Sequence, residues 1–310
     1  MPLEALRAGG KRALAAALAA LERDPDGLAQ LALLDAAWAA PRAHVVGVTG
    51  PPGVGKSSLC AALIRRWRAA GDRVGVIAVD PSSRDSGGAL LGDRVRLASD
   101  SADEGLFVRS MAARDRLGGL ADLTLPAMVT MRALFDRLLV ETVGVGQSET
   151  EIAGLADTVL FCVQPASGDS LQFMKAGIVE IPDVVAVTKA DLGAAADRAL
   201  ADIAGALSLA LDRDGRGRAV AVSARTGTGL DALDAALEAH RAWLDADGRL
   251  AIRRHRQAEH WIVEALRDRV GRGGLARAAR RGLSLDLPAG QPPFARLAAL
   301  TRRLEEGTPQ

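Results

Sequence analysis

The sequence predicts an α/β fold, a doubly wound and mostly parallel sheet with an N-terminal helical arm and a C-terminal helical extension, and three observations predict it. Short apolar runs alternate with helix-like segments from His44 onward; residues 1–40 show helical spacing alone; and strand texture stops after about Asp247. Continuous apolar strands separated by helices belong to a sheet buried on both faces. The length agrees, because 310 residues at 32.2 kDa exceed one ordinary domain. The expected division is an arm over 1–40, an α/β domain over 41–247 and an extension over 248–310.

Along the chain, Leu14, Leu18 and Leu21, then Leu28, Leu31 and Leu34, recur at three and four residues. Asp24-Pro25-Asp26-Gly27 parts these two helices, and Pro41 ends the arm. Strands are predicted over 44–49, 74–80, 138–143, 158–163, 184–188 and 219–223, with a short one over 106–109. Residues 250–310 read as Arg-rich helices. From Ala246 onward there are 13 Lys plus Arg against 7 Asp plus Glu, a local +6 within a whole-chain charge of +1. This charge reads as a solvated helical face, since no nucleic-acid recognition motif accompanies it. Ile252, Trp261, Ile262, Ala265 and Leu266 form an apolar stripe that a small appendage cannot easily bury alone, so a homodimer through this extension is expected.

Composition excludes several classes. With 49% hydrophobic and 25% charged residues the chain is not disordered, and 9 aromatics (5 Phe, 4 Trp) disfavour a base-stacking surface. A net charge of +1 gives no global field for a polyanion, so no nucleic-acid partner is expected. Cys60 and Cys162 lie in apolar stretches, belong to no metal-ligand spacing and read as reduced core thiols. Arg7, Lys11 and Arg12 before the Ala13–Leu21 run imitate a secretory signal. Ala is only weakly apolar, however, and Glu4 interrupts the basic region, so a cytoplasmic protein without a membrane association is expected.

The chemistry begins at Gly50-Pro51-Pro52-Gly53-Val54-Gly55-Lys56-Ser57, which matches G-x-x-x-x-G-K-S/T between a predicted strand and a predicted helix. Glycines let backbone N–H groups close around phosphate oxygens, and the helix starting near Lys56 aims its positive end at them. Lys56 then reaches the β and γ phosphates, Ser57 ligates Mg²⁺ and Ser58 meets the α phosphate, with Gly50, Gly53, Val54 and Gly55 forming the loop. The domain is therefore expected to be a P-loop domain.

What reads the base lies further on. Thr188-Lys189-Ala190-Asp191 follows a strand and has the form of the N-K-x-D guanine box, with Thr for Asn. Guanine offers N1–H and N2–H as paired donors, and a carboxylate such as Asp191 accepts both, whereas adenine presents no such pair. Lys189 would lay its stem along the base, and Ser223-Ala224-Arg225 has the form of the element whose backbone N–H meets guanine O6. Three boxes in order favour GTP over ATP.

Glu141-Thr142-Val143-Gly144 ends a strand in the form of a D-x-x-G switch with Glu as its acid. Glu141 would hold Mg²⁺ through water and the Gly144 N–H would bond the γ phosphate. Val145 stands where Ras-like GTPases carry a water-orienting Gln, so intrinsic hydrolysis on the order of 10⁻⁴ to 10⁻² s⁻¹, accelerated by a partner, is expected. Asp80, leaving a strand into a Pro/Ser/Gly loop, and Asp93, on the helix after it, are candidates to order the attacking water or the Mg²⁺ shell; Asp93 could instead pair with Arg94 or Arg96.

These residues resemble a family. GPPGVGKSSL at 50–59, VDPSSRDSGGALLGDRVRL at 79–97, ETVGVGQSE at 141–149, GDSLQFMKAGIVEI at 168–181 and TKAD at 188–191 are similar to the MeaB/ArgK GTPases, relatives of the nickel and cobalt metallochaperone GTPases, over about residues 45–230. The resemblance implies a homodimeric G-protein chaperone for a coenzyme B12-dependent acyl-CoA mutase, usually methylmalonyl-CoA mutase. Such a chaperone couples GTP hydrolysis to loading intact adenosylcobalamin and to releasing damaged cofactor. It also implies that the segment from Gln164 to Lys175, with Gly168, Asp169, Gln172 and Lys175 matching, is an additional switch that contacts the mutase. Thr188, the stretch Met111 to Arg116 and the C-terminal extension depart from the family pattern. The alternatives are a metallochaperone-type GTPase for another metal or cobalamin enzyme, an ATP-dependent kinase, and a regulatory module without useful hydrolysis.

Overall fold

The computed structural model describes residues 1–81, 103–113, 123–142, 148–165, 182–209 and 217–305, and the backbone alone at 80, 81, 112, 113, 148–150 and 209. Within these, seven strands form one all-parallel sheet in the order β3-β2-β4-β1-β5-β6-β7. The strands are β1 (His44–Thr49), β2 (Val74–Pro81), β3 (Leu106–Ala113), β4 (Arg137–Glu141), β5 (Thr158–Val163), β6 (Val184–Val187) and β7 (Arg218–Ala221). The predicted strands recur with ends moved by one or two residues, β4 stopping at Glu141 and β7 at Ala221, and with one larger difference: the short run at 106–109 continues to Ala113, because it pairs with β2 along eight residues from Val74↔Leu106 to Pro81↔Ala113. Pairing with a neighbour, which apolar texture does not report, sets that length.

The helices are α1 (Leu3–Ala8), α2 (Gly10–Arg23), α3 (Leu28–Ala39), α4 (Lys56–Ala69), α5 (Thr124–Arg132), α6 (Ser148–Ala153), α7 (Ala194–Leu209), α8 (Leu230–Asp245), α9 (Arg249–Arg280) and α10 (Pro293–Glu305). The chain divides into two compact units. One holds 43–121 and 135–249, the other 1–42, 122–134 and 250–310.

In the sheet unit the side-chain alternation of each strand feeds two cores. On β5 and β6, Leu160, Cys162, Val184 and Ala186 join α4 (Leu59, Leu63, Trp67) and α8 (Leu233, Leu237). Their neighbours Phe161, Val163, Val185 and Val187 join α7 through Ala199, Ile203 and Leu207. Both faces are thus covered, which is why these strands read as unbroken apolar runs. Burying one such side chain contributes about 1.5–3 kcal/mol.

Polar groups close the N-terminal edge of the sheet. Asp157 accepts the Val45 N–H at 2.9 Å and Asp183 accepts the Val159 N–H at 2.8 Å. Between them Thr158 Oγ1 lies 2.7 Å from His44 Nε2 and 2.8 Å from His240 Nδ1, all three side chains being buried. One hydroxyl can donate to one ring and accept from the other, so it fixes both imidazoles. The opposite, C-terminal edge is left for chemistry.

The helical unit is built on a different core. Ile262 and Leu266 of α9 pack with Leu297, Leu300 and Leu304 of α10, and Trp38 and Trp261 flank Phe294 at ring separations of 6.5 and 5.1 Å. The stripe singled out on α9 is thus partly covered by the chain's own helices, while Ile252 remains 52% exposed. Helix α5, buried at every position, carries Arg132, whose guanidinium lies 5.0 Å from the Trp38 ring.

Candidate nucleotide site

The site is built where β1 stops. Residues 50–55 connect it to α4, and two glycines make the turn possible. A Cβ at Gly50, whose φ is +135°, would stand 2.2 Å from the Cys162 carbonyl oxygen, so no side chain fits there. Gly55 caps α4 at φ +100°, a left-handed conformation costly for any residue with a Cβ. These constraints bring the loop back over the helix N-terminus, the ordinary geometry for an anion.

Lys56, 7% exposed, donates through Nζ to the Gly50 carbonyl at 2.7 Å and the Pro51 carbonyl at 3.0 Å. Ser57 Oγ donates to Glu141 Oε1 at 2.6 Å. Glu141 stands opposite Val48 of β1 and Ala78 of β2 in the sheet register, so pairing alone delivers its carboxylate to the start of α4. Thr142 Oγ1, one residue further, bonds Thr49 Oγ1 at 3.0 Å and ties the ends of β4 and β1 together. The backbone of Asp80 follows Ala78 by two residues on β2, beside the same edge. The Asp80 side chain lies outside the described residues, as do Asp93, Gly144, Gly168, Asp169, Gln172 and Lys175.

Residues 192–222 separate the two parts of the base side, and the pairing of β6 with β7 joins them. Thr188 Oγ1 lies 2.7 Å from the Val54 carbonyl and 2.9 Å from that of Val163, so it fastens the phosphate loop to β5. The Thr that stands for Asn therefore holds the loop down. Lys189, at a left-handed φ of +55°, donates to the Gly53 carbonyl at 3.2 Å and to Gln164 Oε1. Asp191 Oδ1 accepts from Ser223 Oγ at 2.6 Å and Oδ2 from Arg225 at 2.7 Å. These two bonds hold its carboxyl below the usual value of 3.8. The carboxylate is ionised and held from two sides.

Two cavities run over these residues. One of about 300 Å³ is lined by Val54, Ser58, Thr188, Lys189, Asp191 and Ala224, among others; one of about 580 Å³ is lined by Gly53, Lys56, Ser57 and Arg65. The phosphate loop from Gly53 to Ser58 and the base-box residues Thr188, Lys189, Asp191, Ser223, Ala224 and Arg225 border one or both, whereas Gly50, Pro51, Pro52 and Ala190 border neither. Beneath them lie Cys60 and Cys162. Burial, and next the Glu141 carboxylate, push the Cys60 thiol well above 9.0, and burial pushes that of Cys162 up to about 12. Sequence reasoning gave no role to Arg65 and Thr49, which belong to no motif, or to Thr142, a variable position of the Glu141–Gly144 motif; these reach the site through helix phase and strand register.

The architecture is that of the P-loop nucleotide hydrolases. The nickel-bound HypB of Helicobacter pylori, 15% identical, matches with a TM-score of 0.51 over 69% of this chain and 94% of its own, a likeness of fold. A solved structure described as a LAO/AO transport system kinase matches at a TM-score of 0.66, with 26% identity over 98% of this chain and 95% of that one. Sequence narrows the class. The pattern of the family "Methylmalonyl Co-A mutase-associated GTPase MeaB" matches residues 14–278, and the chain belongs to that family. Among relatives, PH0274 of Pyrococcus horikoshii is 40% identical over 270 residues, 84% of this chain and 83% of that one. GTPase ArgK of Escherichia coli K12 is 34% identical over 230 residues (73% and 70%). The mitochondrial methylmalonic aciduria type A homolog of Mus musculus is 37% identical over 235 residues, 74% of this chain and 57% of that one. The protein is a GTPase and binds guanine nucleotides, and its family is associated with methylmalonyl-CoA mutase. No helix among the described residues is long and apolar enough to cross a membrane.

Proposed function

We propose that this GTPase is a chaperone for a B12-dependent acyl-CoA mutase, most closely methylmalonyl-CoA mutase, and that its nucleotide cycle gates the loading of adenosylcobalamin and the rescue of inactivated mutase. The family match over residues 14–278 carries the reading, and the mouse relative named for methylmalonic aciduria supports it. Hydrolysis would serve as the clock, and the segment holding Gln164, Gly168, Asp169, Gln172 and Lys175 as the output toward the mutase. The chain would work in the cytoplasm as a homodimer joined through 248–310.

Within the site, Lys56 and the backbone of 53–58 hold the phosphates, while Lys189, Asp191 and Ala224 read guanine and Thr188, Ser223 and Arg225 position them. Asp80, Asp93 and Gly144 belong to the γ-phosphate side. A Mg²⁺ ion fits the donor set, since the Ser57 hydroxyl and the Glu141 carboxylate converge at 2.6 Å and oxygen ligands are what this cation takes. When bound it neutralises charge on the β and γ phosphates. Ser57 and Glu141 orient that end of the nucleotide, and Lys56 holds the developing negative charge.

The test is GTP turnover by purified protein with and without methylmalonyl-CoA mutase. Slow turnover alone, on the order of 10⁻⁴ to 10⁻² s⁻¹, and at least tenfold stimulation by the mutase are expected. Turnover indifferent to the mutase overturns the chaperone reading.

A further inference from the structure

The two cavities share Gly55, Ser58, Ala224 and Arg225. A guanine seated on Asp191 and phosphates seated on Lys56 must be joined across these residues, so the ribose of a bound nucleotide passes there. The larger cavity does not end at that junction. It continues along α4 to Ala61 and Arg65, which follow Ser58 at three and seven residues and so lie on one helix face. Seven residues of helix place Arg65 about 10 Å along the axis from Ser58.

The charges along this extension are out of balance. Helix α4 carries three arginines in succession or nearly so. Arg66 pairs with Asp231 and Asp234, and Arg68 pairs with Asp103. Among the described residues Arg65 has no hydrogen-bond or ion-pair partner. Arg225 uses one of five N–H donors on Asp191. Among the described residues the cavity lining holds the cations Lys56, Arg65 and Arg225 and no carboxylate. Lys56 lies in the phosphate loop and answers to the 5′-phosphates. Arg65 and Arg225, both exposed, lie outside that loop and line the cavity at the ribose junction and beyond it. A forked guanidinium is the side chain that matches a phosphate oxygen pair.

We propose that Arg65 and Arg225 form a second anion subsite on the ribose edge of the nucleotide, which takes a guanine nucleotide bearing an additional phosphate or diphosphate on its ribose 2′- or 3′-hydroxyl. The proposal rests on the guanine-nucleotide reading of the site given above. An arginine on a solvated helix face is common; here the arginine without a partner among the described residues lines the nucleotide cleft, while Arg66 and Arg68 are paired. A 5′-diphosphate carrying a ribose diphosphate would hold the cleft against GTP, and so tie turnover to the supply of such nucleotides.

Titration calorimetry with GDP and with guanosine 5′-diphosphate 3′-diphosphate tests this, on the full chain and on Arg65→Ala and Arg65→Lys variants. The ribose diphosphate is expected to tighten binding about tenfold relative to GDP, as one charge-assisted guanidinium contact does. Arg65→Ala should abolish that gain and leave GDP affinity unchanged, which also verifies that the variant is folded. Arg65→Lys should keep part of the gain, and the gain should shrink with added salt. Equal binding of the two nucleotides by the unaltered protein, with GDP bound normally, overturns the subsite alone. The same result follows if Arg65→Ala weakens only mutase-stimulated turnover, which assigns Arg65 to a protein contact. Absence of GDP binding overturns the guanine reading itself.

Discussion

The phosphate end and the base end of the cleft are made in different ways. Residues 50–58 are contiguous, and their geometry is local: Gly50 and Gly55 take conformations open to glycine, and Lys56 bonds carbonyls five and six residues behind it. At the base end Asp191 is held by Ser223 and Arg225, 32 and 34 residues away, so its orientation depends on β6 and β7 pairing in register. One end is a property of a peptide segment and the other of a sheet. Thr188 links the two by bonding the Val54 carbonyl from the base side. A change at the phosphate end should therefore weaken every nucleotide alike, and a change at the base end should alter the choice among them.

Removing the cation gives the largest expected effect. Lys56→Ala should weaken GTP, GDP and ATP binding together by about a hundredfold or more, as the loss of charge-assisted hydrogen bonds at a buried ammonium implies. A selective loss of GTP alone, measured by calorimetry, would break the proposed separation of roles.

Asp191→Asn comes next. Replacing one acceptor oxygen by an amide donor should cost about tenfold to a hundredfold in GTP affinity while leaving ATP binding unchanged, and should improve binding of xanthosine triphosphate, whose second exocyclic group is an acceptor. Undiminished GTP binding with faster ATP turnover would favour the kinase alternative.

Ser223→Ala sharpens the comparison at lower amplitude. It removes one of two bonds that orient Asp191 and should cost about fivefold in GTP affinity, with phosphate contacts intact. The same bonds predict the acid side of a pH profile. Because the Asp191 carboxyl is held below its usual 3.8, the ionised form persists, and guanine preference over adenine should stay flat from neutrality down through the ordinary carboxylate range. Preference is lost only as pH falls through the lowered value, and Ser223→Ala should move that loss to higher pH.

The smallest expected effect is on the thiols. Cys60 and Cys162 are buried with raised pKa values, that of Cys162 about 12, so both should label slowly with a maleimide at pH 8 in the native protein and promptly in denaturant. Nucleotide should not alter the native rate.

Legibility in the sequence followed the same division. The strands β1, β2, β5 and β6 could be read because burial on both faces leaves no polar residue to interrupt them. The break between α2 and α3 could be read because Pro and Gly act on their own backbone. The full length of β3 and the wholly buried helix α5 escaped, since the first is set by its pairing with β2 and the second lacks a polar face to give it a period. Arg65 carried no motif. Its interest comes from aspartates on other elements that neutralise Arg66 and Arg68 and leave it aside.

By itself the sequence determined the phosphate loop, the guanine-type box, the placing of Glu141 at a strand end and the alternation of strands with helices, because each depends on residues close together in the chain. Only the tertiary structure decided that Glu141 meets Ser57, that Ser223 and Arg225 grip Asp191, and that one arginine of three lines the cleft. These are distances between elements, fixed by strand register and helix phase, and local residue patterns do not encode them.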